Sequence, residues 1–156
     1  PANYDAAFSV AATNNGGMVT SFSSRGPVNG RLKPDISAPG SNIRSSVPGG
    51  GYGSASGTSM AGPHVAGVVT LLWSADPTLI GDIDATEAWL CRTAEPQAVN
   101  TVCQTVNPPE DGARVLETLS TPTCACGGVT GTPNNVYGCG LIDAGAAVRA
   151  ALDAPD

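Results

Sequence analysis

The sequence predicts an α/β fold, and three observations support it. Short apolar segments bounded by turn residues occupy the first part of the chain, as buried strands do. Residues 59–74 are small and apolar nearly all round the helical wheel, which predicts a helix buried on all sides. Further helices are predicted at 83–93 and 141–152, and no internal repeat or linker divides the chain into two domains.

The strands come first along the chain. The earliest ends at the glycine-containing turn at 14–17, and Pro39-Gly40 separates two later extended segments. The three glycines at 49–51 are expected to form a flexible or tight turn. The predicted strands are 6–13, 18–22, 35–38 and 42–47.

The central helix is predicted to begin at or just after Ser59. Pro63 fits only near the first turn, where a missing N–H does least harm. Gly67 costs about 1 kcal/mol relative to alanine inside a helix, so we expect close packing against another backbone there. Asp143 stands at the start of the last helix, where the helix dipole favours an anion.

Composition and charge exclude two classes of partner. The 156 residues include 13 acidic and seven basic ones, for a net charge of −6. Nucleic-acid binding calls for clustered Lys and Arg, which the sequence lacks. No apolar run approaches the roughly 18 residues that cross a bilayer. The chain opens on Pro1 without Met or a signal peptide, so we expect a mature or truncated product.

The five cysteines favour disulfides over a metal site. The closest pair has CxC spacing, which fits zinc ligation poorly, and the only histidine is far away in the sequence. Disulfides imply an oxidising compartment. We predict Cys91 bonded to Cys103, and Cys139 bonded to Cys124 or Cys126, with one cysteine free or paired outside this chain.

Ser59 occupies the position with the clearest chemistry. At the N-terminus of a buried helix, backbone N–H groups lack partners and the helix dipole is positive. A nucleophile there can attack a carbonyl while N–H groups hold the developing oxyanion. The alternative is an ordinary N-cap serine, which is common at helix starts.

Several segments resemble the subtilisin-like serine proteases, or subtilases. The string GTSMAGPHVAG at 57–67 resembles the segment around the family's nucleophilic serine. The others are PANY at 1–4, SFSSRGP at 21–27, KPDISAPG at 33–40 and YGCGLIDA at 137–144. The resemblance implies a subtilisin-like α/β fold with a partial parallel sheet around a buried nucleophile helix.

The resemblance also implies domain organisation. Residues 1–156 would be the C-terminal part of a catalytic domain, similar to the family at 1–95 and, less closely, at 136–152. A cysteine-rich looped insertion is expected at about 96–135, with a short helix near 114–119.

Roles follow from the matched positions. Ser59 would be the nucleophile, with its own N–H as one oxyanion donor, and the Thr58 hydroxyl would support the oxyanion. Ser56 and Gly57 would line the leaving-group side. Met60 would sit beside the nucleophile.

Other catalytic groups do not match anything in this chain. The family's general base and its orienting aspartate precede the serine. His64 matches a structural histidine, and five residues of helix place it about 140° round and about 7.5 Å from Ser59, beyond hydrogen-bond reach. Asp35 is expected in a local turn or an ion pair with Lys33 or Arg31.

The family's oxyanion asparagine is missing as well, since Asn3, Asn14 and Asn15 do not carry its motif. The catalytic His, Asp and Asn are therefore expected from an N-terminal portion outside this chain, which would be its obligate partner. This chain alone is expected to have no peptidase activity.

A structural cation is a further implication of the resemblance. The carbonyls of Ala2, Tyr4 and Ala7 match family positions that bind a cation, and calcium or a monovalent ion would suit such oxygens, with Asp5 adding charge. The alternative is an ordinary loop. The chemistry itself requires no cofactor.

The expected function is that of a secreted serine endopeptidase, which cleaves protein or peptide substrates through an acyl-enzyme on Ser59. The alternative is a non-catalytic, disulfide-stapled binding module, with 96–140 as its interaction surface. Substrate preference and oligomeric state do not follow from the sequence.

Overall fold

A computed structural model describes residues 2, 4, 6–28, 30–97 and 132–153. The structure is an α/β arrangement of two small sheets and three α-helices within these ranges. The elements in chain order are β1 (Val10–Thr13), β2 (Ile36–Pro39), β3 (Ile43–Ser46), β4 (Tyr52–Ala55), α1 (Thr58–Ala75), a 3-10 turn (Pro77–Leu79), α2 (Ile83–Thr93) and α3 (Ala144–Leu152).

The centre of the structure is the parallel pair β1–β2, in register from Val10–Ile36 to Thr13–Pro39. Most of its residues are buried, because parallel strands are normally covered on both faces. Leu141 extends this pairing, since the amide of Ser37 donates to Gly140 and the amide of Ile142 donates to Ser37. A late segment of the chain therefore completes the sheet begun by its first strands.

The strand predicted at 18–22 is wrong, because only one bridge, between Thr13 and Val19, forms there. The chain turns again at once, with the amide of Ser23 donating to the carbonyl of Thr20. The Ser23 hydroxyl then accepts the amide of Ala12 at 3.0 Å. A side chain thus takes a β1 donor that a neighbouring strand would otherwise use.

Strands β3 and β4 form an antiparallel hairpin, from Ile43–Ala55 to Ser46–Tyr52. The sequence predicted β3 but not β4, because the Tyr52–Ala55 segment has no apolar alternation. The connecting glycines 49–51 all have positive φ, from 86° to 94°, which explains their place in the turn. The hairpin is mostly exposed and lies directly before α1.

Among the described residues, helix α1 is buried along one stripe, and burial on all sides requires a further segment to cover the rest. Ala61, Val65, Val68 and Leu72 form the buried stripe, spaced as on one helix face. The opposite side is open, and Leu71 is 52% exposed. A Cβ added at Gly67 would meet nothing within 4 Å among the described residues, so these residues do not provide the close packing expected there.

Helix α2 begins at Ile83 as predicted, whereas α3 begins at Ala144, three residues after the predicted start, because Leu141 pairs with Glu95 and lies beside β2. The carboxylate of Asp82 caps α2 by accepting the amide of Ala85 at 3.0 Å, and that of Asp143 caps α3 by accepting the amide of Ala146 at 2.8 Å. Helix α3 packs on α1, and both help to enclose the β1–β2 core. None of the helices within the described ranges is long and apolar enough to cross a membrane.

A disulfide joins Cys91 in α2 to Cys139, which differs from both predicted pairings. The amide of Cys139 donates to the carbonyl of Asp35 at 2.8 Å, which brings it beside β2 and within 5.1 Å, Cα to Cα, of Cys91. Tertiary packing rather than closeness in sequence therefore selects the pair. The remaining cysteines, the helix predicted near 114–119 and most of the predicted 96–135 insertion lie outside the described residues.

Candidate active site

Ser59 lies in the first turn of α1, as its second helical residue. The N-cap is Gly57, which makes no side-chain capping bond. The ordinary N-cap interpretation of Ser59 is therefore wrong. The residue is exposed, and no hydrogen bond of its hydroxyl to another described residue is found.

The N-terminus of α1 meets the carboxyl ends of the parallel strands. The amide of Gly57 donates to the carbonyl of Gly40, just after β2, and the amide of Gly40 donates to the carbonyl of Thr13, the last residue of β1, both at 2.8 Å. In open α/β sheets, ligands bind at this edge. Ser59 therefore lies at the edge of the sheet where proteins of this fold class bind their ligands.

A cavity of about 350 Å³ opens beside Ser59. Its walls come from β3 and from the first turns of α1: Ile43, Arg44, Ser45, Ser59, Met60, Pro63 and His64. A second cavity of about 430 Å³, whose lining includes Ala2, Val10 and Arg25, reaches Thr58. The first turn of α1 therefore borders two cavities, with Ser59 on one and Thr58 on the other.

Two of the residues predicted to lie near Ser59, Ser56 and Met60, have different roles around the first turn of α1. The hydroxyl of Ser56 accepts the amide of Asn42 at 2.8 Å, which ties the end of the β3–β4 hairpin to its beginning. Met60 is half-buried and lines the Ser59 cavity. Ser56, Gly57, Thr58, Ser59 and Met60 thus lie together around the first turn of α1.

His64 lines the same cavity as Ser59 but makes no hydrogen bond with it. Its Nδ1 lies 2.8 Å from the carbonyl oxygen of Met60, one helical turn earlier. A carbonyl only accepts, so Nδ1 is the donor in this contact. The histidine is thereby engaged with its own helix rather than with the serine.

Asp35 lies at the far end of β2 from the Ser59 edge, separated by roughly 13 Å of strand. Its carboxylate pairs with the ammonium of Lys33 at 2.7 Å, which confirms the predicted ion pair. The amide and the hydroxyl of Ser9 donate to the same carboxylate oxygen, each at 2.6 Å. These partners fix Asp35 away from the candidate active site.

The residues of the predicted cation set have different surroundings in the structure. Ala2 borders the Thr58 cavity, and the carbonyl of Tyr4 accepts the amide of Ala7. The carbonyl of Ala7 accepts a hydrogen bond from the ammonium of Lys33 at 2.7 Å. Asp5 lies outside the described residues.

Two side chains of interest were not predicted from the sequence. Arg44 borders the Ser59 cavity, and its guanidinium lies 4.3 Å from the ring centre of Tyr52. It belongs to the β3–β4 hairpin, of which only β3 was predicted. Burial, followed by the charges of Asp35 and Asp84, raises the pKa of Glu87, and the charge of Lys33 opposes the rise. Glu87 borders a separate cavity of about 340 Å³ beside the disulfide.

Known proteins share both the sequence and the fold. The model of the Subtilase family matches residues 1–140. The chain belongs to the subtilase family. Bacillopeptidase F of Bacillus subtilis (strain 168) is 40% identical over 155 residues, which cover 98% of this chain and 9% of that protein. The minor extracellular protease Vpr of the same strain is 53% identical over 70 residues, covering 40% of this chain and 9% of Vpr.

A solved protease structure shares the fold of this chain. The CspB protease of Clostridium perfringens matches with a TM-score of 0.69 and 26% identity, over 99% of this chain and 29% of that one. The predicted subtilase family and α/β fold are therefore confirmed. The subtilase segment spans between 9% and 29% of the length of these three relatives.

Proposed function

We propose that this subtilase segment supplies the nucleophile of a serine endopeptidase, with Ser59 forming the acyl-enzyme. The observation that carries the proposal is an exposed serine hydroxyl without a capping role, in the first turn of a helix at the carboxyl edge of parallel strands. Membership of the subtilase family supports serine peptidase chemistry in general.

The proposed reaction runs in two stages. The Ser59 hydroxyl attacks the peptide carbonyl and gives its proton to a general base, and that proton then passes to the leaving amine as the C–N bond breaks. Water next attacks the ester and regenerates the free hydroxyl. Because a serine hydroxyl is a weak nucleophile alone, this cycle requires a general base, which we assign to a part of the catalytic domain outside this segment.

Stabilisation of the oxyanion would come partly from α1. The amide of Ser59 lies in the helix's first turn, where amides have no helical acceptor, and the positive end of the helix dipole adds to its field. One such donor is typically worth about 2.7–4 kcal/mol in the transition state. Thr58, whose hydroxyl we assign to support the oxyanion, borders the adjoining cavity.

The partner we propose is the N-terminal part of the same catalytic domain. It would bring the catalytic His and Asp and the oxyanion Asn, and its docking surface would be the open side of α1. In the middle of that side, Ala66, Gly67 and Leu71 are apolar and exposed. The greater length of the relatives leaves room for such a portion.

Arg44 suggests a preference on the leaving-group side. Arg44 lines the Ser59 cavity, and none of the described residues lining that cavity is acidic. A carboxylate on the substrate would pair with this cation without competition from an acidic residue of the cavity wall. We therefore propose that acidic side chains are favoured just after the scissile bond.

Secretion is proposed as the location of the protein. The Cys91–Cys139 disulfide suits an oxidising compartment. The relative Vpr is named as extracellular. Protein or peptide substrates outside the cell are accordingly the expected targets.

The test is covalent labelling of the full-length protein with a fluorophosphonate probe. The expected result is one labelled peptide containing Ser59, with labelling abolished in Ser59→Ala. Ser74→Ala, at an exposed serine in the same helix, is the matched control and should label normally. Absence of label in folded full-length protein would support the alternative, a non-catalytic disulfide-stapled module.

A further inference from the structure

Lys33, the one lysine of the chain, is buried, with 8% of its surface exposed. Its ammonium donates to the carbonyl of Ala7 at 2.7 Å and lies 2.7 Å from a carboxylate oxygen of Asp35. One backbone carbonyl and one carboxylate therefore converge on a single positive charge. Buried lysines are uncommon unless they are paired in this way.

The same two oxygens are of the kind that hard metal cations take. Calcium binds backbone carbonyls and carboxylates at 2.3–2.6 Å, and the Ala7 carbonyl belongs to the predicted cation set. A metal ion bonded to these oxygens would lie beside the ammonium, and two like charges at such a separation repel strongly in a partly buried site. The residues present therefore do not fit a metal ion while Lys33 is charged.

The surroundings hold Lys33 and Asp35 firmly. The amide and hydroxyl of Ser9 both donate to the Asp35 carboxylate, so its charge is oriented as well as neutralised. On the other side, a Cβ at Gly26 would lie only 2.3 Å from the carbonyl oxygen of Lys33, so only glycine permits this approach of the two backbones. The close contact with Gly26 therefore restricts the backbone position of Lys33, and with it the position of the ammonium.

We infer that the ammonium of Lys33 takes the place of a metal cation at the loop ending in Ala7, so that the protein carries its own cation there. The loop is then held without calcium or sodium. Replacing Lys33 with an uncharged residue would leave the Ala7 carbonyl and the Asp35 carboxylate facing a space that a cation can enter.

Hydrogen exchange in the full-length protein tests this inference locally, because it reports on peptides covering 6–9 separately from any other cation site. In the unchanged protein, adding calcium chloride in place of sodium or choline chloride at equal ionic strength should leave exchange at 6–9 unaltered. Lys33→Gln should exchange faster there and regain protection with calcium in a saturable way. The midpoint should correspond to at least about tenfold tighter binding than in the unchanged protein.

Two further variants separate the cation from other effects. Lys33→Arg keeps the charge and should stay insensitive to calcium at 6–9. Lys33→Gln combined with Asp35→Asn lacks the carboxylate and should lose the calcium response that the single variant gains.

Each outcome of these hydrogen-exchange experiments either supports or contradicts the inference. Calcium-dependent protection at 6–9 in the unchanged protein would overturn the inference, and so would a Lys33→Gln protein that folds but gains no calcium response. If Lys33→Gln does not fold, the unchanged protein and Lys33→Arg still decide, since a calcium response at 6–9 in either contradicts a lysine-filled site and its absence in both supports one.

Discussion

The amide of Gly57 donates to the carbonyl of Gly40 at 2.8 Å, and this bond sets the N-terminus of α1 against the ends of β1 and β2. A Cβ at Gly40 would lie 2.6 Å from the Cβ of Ala12 and 2.8 Å from the carbonyl oxygen of Gly57. Neither contact is tolerable without movement of the backbone. The position of Ser59 therefore depends on the absence of a side chain at Gly40.

Gly40→Ala is expected to destabilise the protein by about 1–3 kcal/mol, as overpacked cores do. It should also lower kcat more than KM changes, because the shift is transmitted to the Ser59 turn. Urea unfolding and peptide hydrolysis by the full-length protein measure the two effects. Gly16→Ala is the control, since its Cβ would make only an ordinary 3.4 Å contact with Asn14, and it should change stability by less than about 0.5 kcal/mol.

Gly67→Ala tests the proposed docking of the N-terminal portion on α1. Nothing lies within 4 Å of a Cβ at this position among the described residues, so in this chain alone the change should favour the helix by up to about 1 kcal/mol. In the full-length protein the docked partner would occupy that space, and the same change should lower the melting temperature. Equal stabilisation in both proteins would contradict the docking.

Glu87→Gln should stabilise the protein more at pH 7 than at pH 4. A carboxyl whose pKa is raised on folding binds its proton more tightly in the native state. Its contribution to stability is therefore lost as pH rises from the ordinary glutamate pKa of about 4.3 through the raised folded value. Thermal unfolding across this range measures the effect, and an unchanged pH profile in the glutamine variant would refute it.

Peroxide should inactivate the full-length enzyme through Met60. Oxidation makes the thioether polar and bulkier in the cavity that Ser59 borders. Met60→Ala is expected to keep most of its activity under peroxide. The matched control is Met18→Ala, which removes the chain's other methionine, an exposed one, and should leave the enzyme as sensitive as before.

Arg44→Gln should reduce the proposed preference for acidic residues after the scissile bond by about tenfold in kcat/KM, the range of one charge-assisted hydrogen bond. Neutral substrates should be cleaved with little change. Fluorogenic peptides with Glu or Gln at that position measure the ratio. If the ratio is the same in both proteins, Arg44 does not contribute to recognition of the acidic substrate residue.

Local features of the sequence predicted the helices well, because the residues that define their ends act locally. Asp82 and Asp143 cap α2 and α3 through amides three residues ahead, which a sequence pattern can reveal. The strand predicted at 18–22 was wrong because the competing donor–acceptor pair joins Ser23 to Ala12, across a turn. No local pattern contains that information.

The sequence predicted which residues of the first turn of α1 form the candidate site, but it did not predict the cavity beside them. The motif around Ser59 located the first turn of α1, but the cavity wall at Arg44 depends on the β3–β4 hairpin. The apolar composition of α1 is the same whether another part of this chain or a different segment covers it, so the sequence could not show that one side is open. Likewise Cys91 and Cys139 pair through packing of α2 beside β2, which their spacing does not encode.

The Cys91–Cys139 bond spans 48 residues of sequence and so encloses almost all of the chain between α2 and the Leu141 segment. A peptide bond cut anywhere inside that span would leave the two pieces covalently joined. Helix α3 and the sheet-completing residues would stay attached to the body that carries Ser59. For a protein proposed to be secreted, this crosslink means that cleavage within the enclosed stretch does not release the C-terminal part of the chain.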